Sequence, residues 1–257
     1  MSREELESVI IDYLESADRG YTQGSDEWKS IRCLTIGGSE QATLEDKNPY
    51  ANRLDLLKSK LGLKPFNEKM ATKWGNMFED VLCAVVEKQH CTKIFGGEAF
   101  LKGRYPTQSY SPDGIGVVDG ADGKPEIVLF EFKCPTFRLP DNDKIPVYYK
   151  PQVMAGMDTI RLMKRAIFIE AVFRRCPLSN LDKTPTYNRD FWPKDPEWGV
   201  PIAHGFVGLK WTSAGFNRAK STNDANRITL NVLAEHFRGE RLLVYHGAGV
   251  PGHTALF

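Results

Sequence analysis

The stretch Glu126–Lys133, which reads Glu-Ile-Val-Leu-Phe-Glu-Phe-Lys, decides the fold of this chain. Its apolar and aromatic residues form a short run that is typical of a largely buried β-strand. Side chains alternate along a strand, so Glu131 and Lys133 are expected to project to the same face. Two opposite charges at a buried strand end need partners, because an unpaired buried charge costs several kcal/mol.

A second motif, Ser-Pro-Asp-Gly at 111–114, precedes this strand. Alone it is ambiguous, because Pro-Asp-Gly is a common turn, and Glu-x-Lys alone is compatible with an ion pair at a sheet edge. Together the two motifs predict a metal-dependent nuclease site in which Asp113 and Glu131 hold a hard divalent cation. Phosphodiester hydrolysis needs such a cation to neutralise the phosphate and to lower the pKa of the attacking water. Lys133 adds a donor that orients or helps deprotonate that water.

Outward from this strand, hydrophobic periodicity and capping residues predict an α/β fold, a mixed β-sheet with helices on its faces. The predicted helices cover residues 3–15, 26–32, a short segment with Ser39 as N-cap, 54–61, 69–90, 151–164 and 226–238. The predicted strands cover 94–101, 109–118, 126–133, 166–173 and 203–211.

The length of 257 residues suits a single nuclease domain over 1–257, since no low-complexity linker divides the chain. Within it we expect an N-terminal helix in 1–24, a nuclease core in 25–175, a long loop rich in proline and aromatic residues in 177–201, and a C-terminal extension of sheet and helix in 202–257.

Composition favours a soluble, intracellular protein. No apolar run approaches the roughly 18 residues needed to cross a bilayer, and the charged N-terminus lacks the apolar core of a secretory signal. The five cysteines are scattered, odd in number and without a Cys-x-x-Cys pair, which predicts free thiols and no zinc ribbon. Residues 161–241 carry more Lys and Arg than Asp and Glu, so this segment could form a basic face that follows phosphates, or an ordinary solvated surface.

Several further motifs, in this order along the chain, resemble the PD-(D/E)xK nuclease superfamily and, within it, the phage lambda exonuclease and viral alkaline exonuclease (viral recombinase) family. They are the Trp-x-x-x-Arg segment 28–32, the Gly-Gly-Ser segment 37–39, the Gly-x-x-x-Glu segment 75–79, the Glu-x-Lys-Cys-Pro segment 131–135 and the glutamine helix that starts near 149–153. The resemblance implies a restriction-endonuclease-like core.

The resemblance also assigns roles to individual positions. It implies Asp113, Glu131, the Phe132 backbone carbonyl and Glu79 as metal ligands, Lys133 as the residue that activates water, Gln152 as a further member of the catalytic site, and Arg32 and Ser39 as ligands of a DNA 5′-phosphate. An acidic residue that some relatives have upstream of Ser-Pro-Asp-Gly is missing from 103–108, so the ligand set of a second metal stays open.

Each inherited role has an ordinary structural alternative. Arg32 could form a salt bridge, Ser39 a simple N-cap, and Gln152 an amide on a helix surface. Glu79 has mostly apolar or small helical neighbours, which is a poor environment for a carboxylate that only faces solvent.

The function implied by the resemblance is a Mg²⁺-dependent 5′→3′ exonuclease, with Mn²⁺ as a possible substitute, that acts on 5′-phosphorylated ends of double-stranded DNA. It would leave 3′ single strands for viral or phage recombination and replication, with a single-strand annealing protein as a candidate partner and a monomer or homotrimer as the assembly. Two alternatives remain open. One is an endonuclease, for DNA alone or for DNA and RNA, that uses the same metal site, and the other is a non-catalytic module that binds DNA ends.

Overall fold

The computed structural model describes residues 1–64, 70–90, 92–135, 145–163, 165–170 and 255–256. These residues form a five-stranded mixed sheet and a separate two-stranded sheet, with helices packed against the larger one. The predicted α/β class, a mixed β-sheet flanked by helices, is confirmed. The long loop at 177–201, the strand at 203–211 and the helix at 226–238 lie outside the described residues.

The order of the larger sheet is β1-β4-β5-β6-β7. Its strands are β1 (Ile94–Phe95), β4 (Gly114–Asp119), β5 (Pro125–Lys133), β6 (Arg165–Glu170) and β7 (Ala255–Leu256), while β2 (Leu101–Lys102) pairs with β3 (Ser109–Tyr110) in the smaller sheet. The predicted buried strand is therefore β5, in the centre, with β4 antiparallel on one side and β6 parallel on the other. A parallel pair needs a crossover connection, and α6 lies in the connection between β5 and β6.

The helices are α1 (Arg3–Ala17), α2 (Asp26–Leu34), α3 (Gln41–Leu44), α4 (Arg53–Lys60), α5 (Met70–His90) and α6 (Lys150–Thr159), with a short 3₁₀ helix at Gly38–Glu40. Local sequence explains several of their starts. The Ser25 hydroxyl accepts a hydrogen bond from the Trp28 N–H at the start of α2, as its N-cap position predicts. Asn52 caps α4 in the same way.

Two predicted strands are broken by turns, so expecting them to be continuous was wrong. The segment 94–101 is interrupted by a turn in which Gly96 adopts a φ of 80°, a left-handed conformation that favours glycine. The segment 109–118 is interrupted at 111–113, where Pro112 has no N–H to offer a ladder. This second break directs β3 to one sheet and β4 to the other. The predicted helix 151–164 also ends early, at Thr159.

The core joins α1 and α6 to the sheet. Ile10 of α1, Leu129 of β5, Val153 of α6 and Phe168 of β6 are buried in one cluster. Burial of each such side chain contributes roughly 1.5–3 kcal/mol, so this cluster fixes the position of β5 and its polar end.

The remaining compositional predictions concern thiols and membranes. Cys33, Cys83 and Cys134 are free thiols, as predicted, while Cys91 and Cys176 lie outside the described residues. Burial, followed by the Glu87 carboxylate, raises the pKa of Cys83 to about 12. Among the described helices, none is long and apolar enough to span a membrane.

Candidate active site

The two sequence motifs meet because of the sheet register. Gly114 of β4 pairs with Phe130 of β5 in an antiparallel ladder, so Asp113 lies opposite Glu131 just beyond the start of β4. The Asp113 carboxylate accepts a hydrogen bond of 2.8 Å at Oδ2 from the Phe132 N–H. The strand backbone therefore fixes the aspartate beside the Glu-x-Lys motif.

Three oxygen atoms converge on the ammonium group of Lys133. Nζ lies 3.2 Å from Asp113 Oδ2 and 2.8 Å from the Phe132 carbonyl oxygen, and it forms an ion pair with Glu131 Oε1. We call these four residues the carboxylate–lysine cluster. The predicted proximity of Glu131 and Lys133 on one face of a buried strand is confirmed.

Glu131 is fully buried, with 0% exposure. Its Oε2 accepts a hydrogen bond of 3.0 Å from the Tyr110 hydroxyl, while Oε1 is a buried oxygen that accepts no regular hydrogen bond from the described residues and depends on the ion pair with Lys133. Burial, followed by the adjacent Asp113 carboxylate, raises the pKa of Glu131 to about 8, against the opposing effect of Lys133. The environment therefore disfavours the ionised form of Glu131 unless a cation lies beside it.

Lys133 responds to the same environment in the opposite sense. Burial alone lowers the pKa of its ammonium group, but the carboxylates of Asp113 and Glu131 outweigh that effect and raise the pKa well above its usual value. The cluster therefore holds Lys133 as a cation.

Glu79 of α5 belongs to the same electrostatic neighbourhood. Burial, and then the Asp113 carboxylate, raises the pKa of Glu79 well above its usual value, with Glu131 adding to the shift and Lys133 opposing it. The sequence argument that Glu79 is not a purely solvent-facing carboxylate is consistent with its half-buried position. Helix α5 packs against β5, which brings this carboxylate toward the strand end.

The donors present suit a hard cation. Asp113, Glu131 and the Phe132 carbonyl offer only oxygen, the ligand type that Mg²⁺ and Mn²⁺ prefer. The Lys133 ammonium contacts all three of these oxygens. Across the described ranges, no group of three or more His, Cys, Asp or Glu side chains is close enough to bind a metal by itself.

Tyr110 connects several parts of the site, and the sequence analysis did not single it out. Its ring fills the space next to two glycines, since a Cβ on Gly38 would lie 2.5 Å from the ring and a Cβ on Gly156 would clash with it. Tyr110 is 1% exposed and donates to Glu131. The residue stands directly before Ser-Pro-Asp-Gly, but nothing in its local pattern distinguishes a buried donor from an ordinary strand aromatic.

Gln152 lies on α6 near the same place. Its Cγ is 3.6 Å from where a Cβ on Gly38 would be, and its side chain is half-buried. It makes no hydrogen bond to Asp113 or Glu131 in the part of the chain that is described. The structure therefore places Gln152 beside the Gly38 turn and leaves its role as a prediction.

The two residues expected to bind a 5′-phosphate flank the turn at Gly37–Gly38. Arg32, in the last turn of α2, lies with its guanidinium 4.9 Å above the Trp28 ring and 3.4 Å from where a Cβ on Gly37 would be. Ser39 is exposed in the 3₁₀ helix. The expectation that Ser39 is an N-cap was wrong, because Gly37 is the N-cap of this helix and Ser39 lies inside it.

Arg32 also forms the salt bridge that the sequence analysis gave as its structural alternative, with partners that the sequence did not reveal. Its Nη2 lies 3.4 Å from Glu40 Oε1, and Lys60 Nζ lies 2.8 and 2.7 Å from the two Glu40 oxygens. We call Arg32, Glu40 and Lys60 the anchor cluster. Glu40 and Lys60 are 20 residues apart, and no short-range pattern links them.

Comparison with known proteins gives three findings. The family model described as "YqaJ-like viral recombinase domain" matches residues 27–159, just over half of the chain. Protein D345L of African swine fever virus (strain Badajoz 1971 Vero-adapted) is 30% identical over 209 residues, covering 73% of this chain and 60% of the relative. Protein D345L of the isolate Tick/Malawi/Lil 20-1/1983 is 30% identical over 255 residues, covering 91% of this chain and 73% of the relative.

The chain spans 60% of the length of the first of these relatives. Among solved structures, the alkaline exonuclease LHK-Exo from Laribacter hongkongensis matches with a TM-score of 0.45 at 15% identity, covering 82% of this chain and 94% of that one.

Proposed function

This chain belongs to the YqaJ-like viral recombinase family, and from that premise we propose that it is a Mg²⁺-dependent nuclease. Family membership supports the nuclease role. We further propose that the substrate is duplex DNA with a 5′-phosphorylated end, that digestion runs 5′→3′, and that the 3′ single strand left behind serves recombination or replication, with a single-strand annealing protein as partner.

One observation carries the catalytic part of this proposal. Asp113 Oδ2, Glu131 Oε1 and the Phe132 carbonyl oxygen surround a single cation, the Lys133 ammonium group. These oxygens come from adjacent strands and are positioned by backbone pairing. Such an arrangement supports a site for a divalent cation, which Asp113, Glu131 and the Phe132 carbonyl would hold and Glu79 would complete.

A bound divalent cation would supply charge neutralisation at the phosphate and a more acidic water. Lys133 would then act beside it. The raised pKa of Lys133 is caused by the neighbouring carboxylates, so neutralising their charge removes that cause and frees the ammonium to orient water or exchange a proton. Burial of Glu131 at the strand end keeps competing solvent away from this carboxylate.

The preference for a 5′-phosphate rests on Arg32 and Ser39. A guanidinium grips phosphate through two parallel N–H donors, and the Trp28 ring beneath it restricts its orientation. Ser39 offers an exposed hydroxyl one residue beyond the Gly37–Gly38 turn. Tyr110 touches both Gly38 and Glu131, so a DNA end bound at this turn would lie next to the carboxylate–lysine cluster.

The test is a cleavage assay on a linear duplex labelled at one 3′ end, with and without 5′-phosphates, beside a circular control. On the phosphorylated linear duplex in Mg²⁺, we expect the labelled strand to be shortened progressively from its 5′ end. No shortening is expected in EDTA. Glu131→Gln should abolish this activity, whereas Lys124→Ala, an exposed residue directly before the opposite end of β5, should not. Cutting of the circle would instead assign an endonuclease, and end binding without cleavage in Mg²⁺ or Mn²⁺ would contradict the enzymatic proposal.

A further inference from the structure

Glu40 is an anion held by two cations of different helices. Lys60 of α4 contacts both of its oxygens, at 2.8 and 2.7 Å, and Arg32 of α2 approaches Oε1 at 3.4 Å. The Gly37 N–H also donates to Glu40 Oε2, at 2.8 Å. The carboxylate is therefore bound as an external anion would be, by cationic groups and a backbone N–H.

This anchor cluster is partly shielded from water. The side chains of Lys60, Glu40 and Arg32 are 14%, 20% and 27% exposed, whereas those of the surface pair Lys47 and Glu45 are 45% and 46% exposed. Ion pairs with little exposure are less screened by salt than surface pairs, which contribute roughly 0–1 kcal/mol. The attraction between the Glu40 carboxylate and the Arg32 guanidinium is therefore less weakened by salt than that of a surface pair.

The Arg32 guanidinium cannot bind both Glu40 and a phosphate as strongly as it would bind either one alone. Arg32 already faces Trp28 on one side and Glu40 at one nitrogen. A phosphate that binds Arg32 must share the guanidinium with Glu40 or displace it. Lys60 weakens the hold of Glu40 on Arg32, because it contacts both oxygens of the carboxylate at shorter distances.

We propose that Glu40 competes with the terminal 5′-phosphate for Arg32, and that Lys60 sets the strength of this competition. The inference rests on the proposed function, since it takes Arg32 as the ligand of the end phosphate. An end with a 5′-hydroxyl brings no phosphate monoester to Arg32 and does not enter the competition. Glu40 and Lys60 therefore determine how strongly the protein prefers a phosphorylated end.

Two variants should shift this preference in opposite directions. Glu40→Gln removes the charge but keeps an oxygen for the Gly37 N–H, so it should increase the preference for the phosphorylated end. Lys60→Met keeps the aliphatic stem but leaves the Glu40 charge to Arg32, so it should decrease the preference. A purely structural role for both residues would instead lower the preference in both variants.

The measurement is the dissociation constant of the full chain for one blunt duplex, with 5′-phosphate or 5′-hydroxyl ends, by fluorescence anisotropy in EDTA. We expect the Kd for the 5′-hydroxyl duplex divided by the Kd for the 5′-phosphate duplex to rise about threefold to tenfold in Glu40→Gln and to fall by a similar factor in Lys60→Met. The controls Glu45→Gln and Lys58→Met change the same charges at exposed sites nearby and should leave the ratio unchanged.

Lys60 also donates to the Arg32 carbonyl oxygen at 2.6 Å, so its loss could disturb the end of α2 directly. The double variant Glu40→Gln/Lys60→Met separates the two effects. If Lys60 acts through Glu40, the double variant should match Glu40→Gln; if it matches Lys60→Met, the competition is refuted. Lys60→Gln replaces Lys60→Met in both variants if the methionine substitution lowers the melting temperature.

A parallel cleavage assay in Mg²⁺ distinguishes this inference from the proposed function. Cleavage by the wild type together with an unchanged ratio in both variants would overturn the inference alone. Opposite shifts of the ratio without cleavage would support the inference and refute the nuclease. A wild type that binds both ends equally would overturn the assignment of Arg32 and the inference with it.

Discussion

The carboxylate–lysine cluster and the anchor cluster are both built from oppositely charged side chains, but they are assembled differently. The first lies at paired strand ends, where the sheet register brings Asp113 to Glu131 and the backbone N–H of Phe132 holds the aspartate. The second joins three short helices through the side chains of Arg32, Glu40 and Lys60. Backbone pairing positions the carboxylate–lysine cluster, whereas ion pairs between side chains hold the anchor cluster together.

This difference has a physical consequence. Glu131 is fully buried and cannot move without breaking the β5 ladder, so changes there should abolish function or stability. The anchor cluster retains partial exposure, and the competition proposed above exchanges Glu40 for a phosphate at Arg32. Substitutions in the anchor should therefore adjust substrate preference without stopping chemistry.

The largest effect is expected from breaking the carboxylate–lysine cluster. Lys133→Ala and Asp113→Asn should each lower the cleavage rate by roughly 10²–10⁴-fold, because under the proposed function Lys133 handles the proton and Asp113 is a ligand of the cation. The measurement is single-turnover cleavage of a 5′-phosphorylated duplex in Mg²⁺. Full activity in both variants, with unchanged circular dichroism, would refute the proposed site.

The next effect concerns stability in the absence of metal. Lys133→Met leaves Asp113 and Glu131 without their ammonium partner, and breaking a buried pair in this way costs roughly 3–5 kcal/mol. The melting temperature in EDTA should therefore drop. If Lys133 stands in for a metal, Mn²⁺ should raise the melting temperature of the variant more than that of the wild type. An equal shift in both proteins would show that the ammonium does not occupy the cation position.

Tyr110→Phe should produce an intermediate effect. It keeps the ring that packs against Gly38 and Gly156 but removes the donor to Glu131, and loss of such a partner of a metal ligand typically costs 10–100-fold in metal affinity or activity. We expect weaker Mn²⁺ binding by calorimetry and a lower kcat with little change in KM. Tyr110→Leu, which disrupts packing as well, should in addition lower the melting temperature. A Tyr110→Phe variant with normal metal affinity would reduce Tyr110 to a packing residue.

The two clusters also differ in how far the sequence predicts them. Strand periodicity predicts Glu131 and Lys133 on one face, because that pattern is local. The strand end beside Asp113 is not predicted, since residues 109–118 are expected to form one continuous strand and β4 begins only at Gly114. The Tyr110 hydroxyl and the Glu40–Lys60 pair depend on contacts between distant segments, which no local pattern encodes. The breaks in the strands after Phe95 and Tyr110 were missed because apolar residues lie on both sides of each turn.

Arg32→Lys is expected to change only the preference for a 5′-phosphate end over a 5′-hydroxyl end. Lysine keeps the charge but loses the planar fork and its fit over Trp28, so the preference for a 5′-phosphate should fall by roughly tenfold. Cleavage of the 5′-hydroxyl duplex should change by less than about twofold, since that end presents no phosphate monoester to the guanidinium. Steady-state kinetics on the 5′-phosphate and 5′-hydroxyl duplexes measures the preference and the cleavage of the 5′-hydroxyl duplex. An equal loss on both would place Arg32 in general DNA binding.

The smallest effect is expected at Ser39, and it separates a ligand from a helix cap. Because Gly37 is the N-cap of the 3₁₀ helix, Ser39→Ala should leave the melting temperature unchanged while lowering the preference for a 5′-phosphate about threefold. Water can replace this exposed hydroxyl at the phosphate, so its hydrogen bond contributes only about 0.5 kcal/mol, the low end of the usual range. The matched control is Ser25→Ala, which removes a real N-cap and should cost about 1 kcal/mol of stability without altering end preference. If Ser39→Ala behaves like Ser25→Ala, the hydroxyl stabilises the turn and the phosphate preference belongs to the anchor cluster alone.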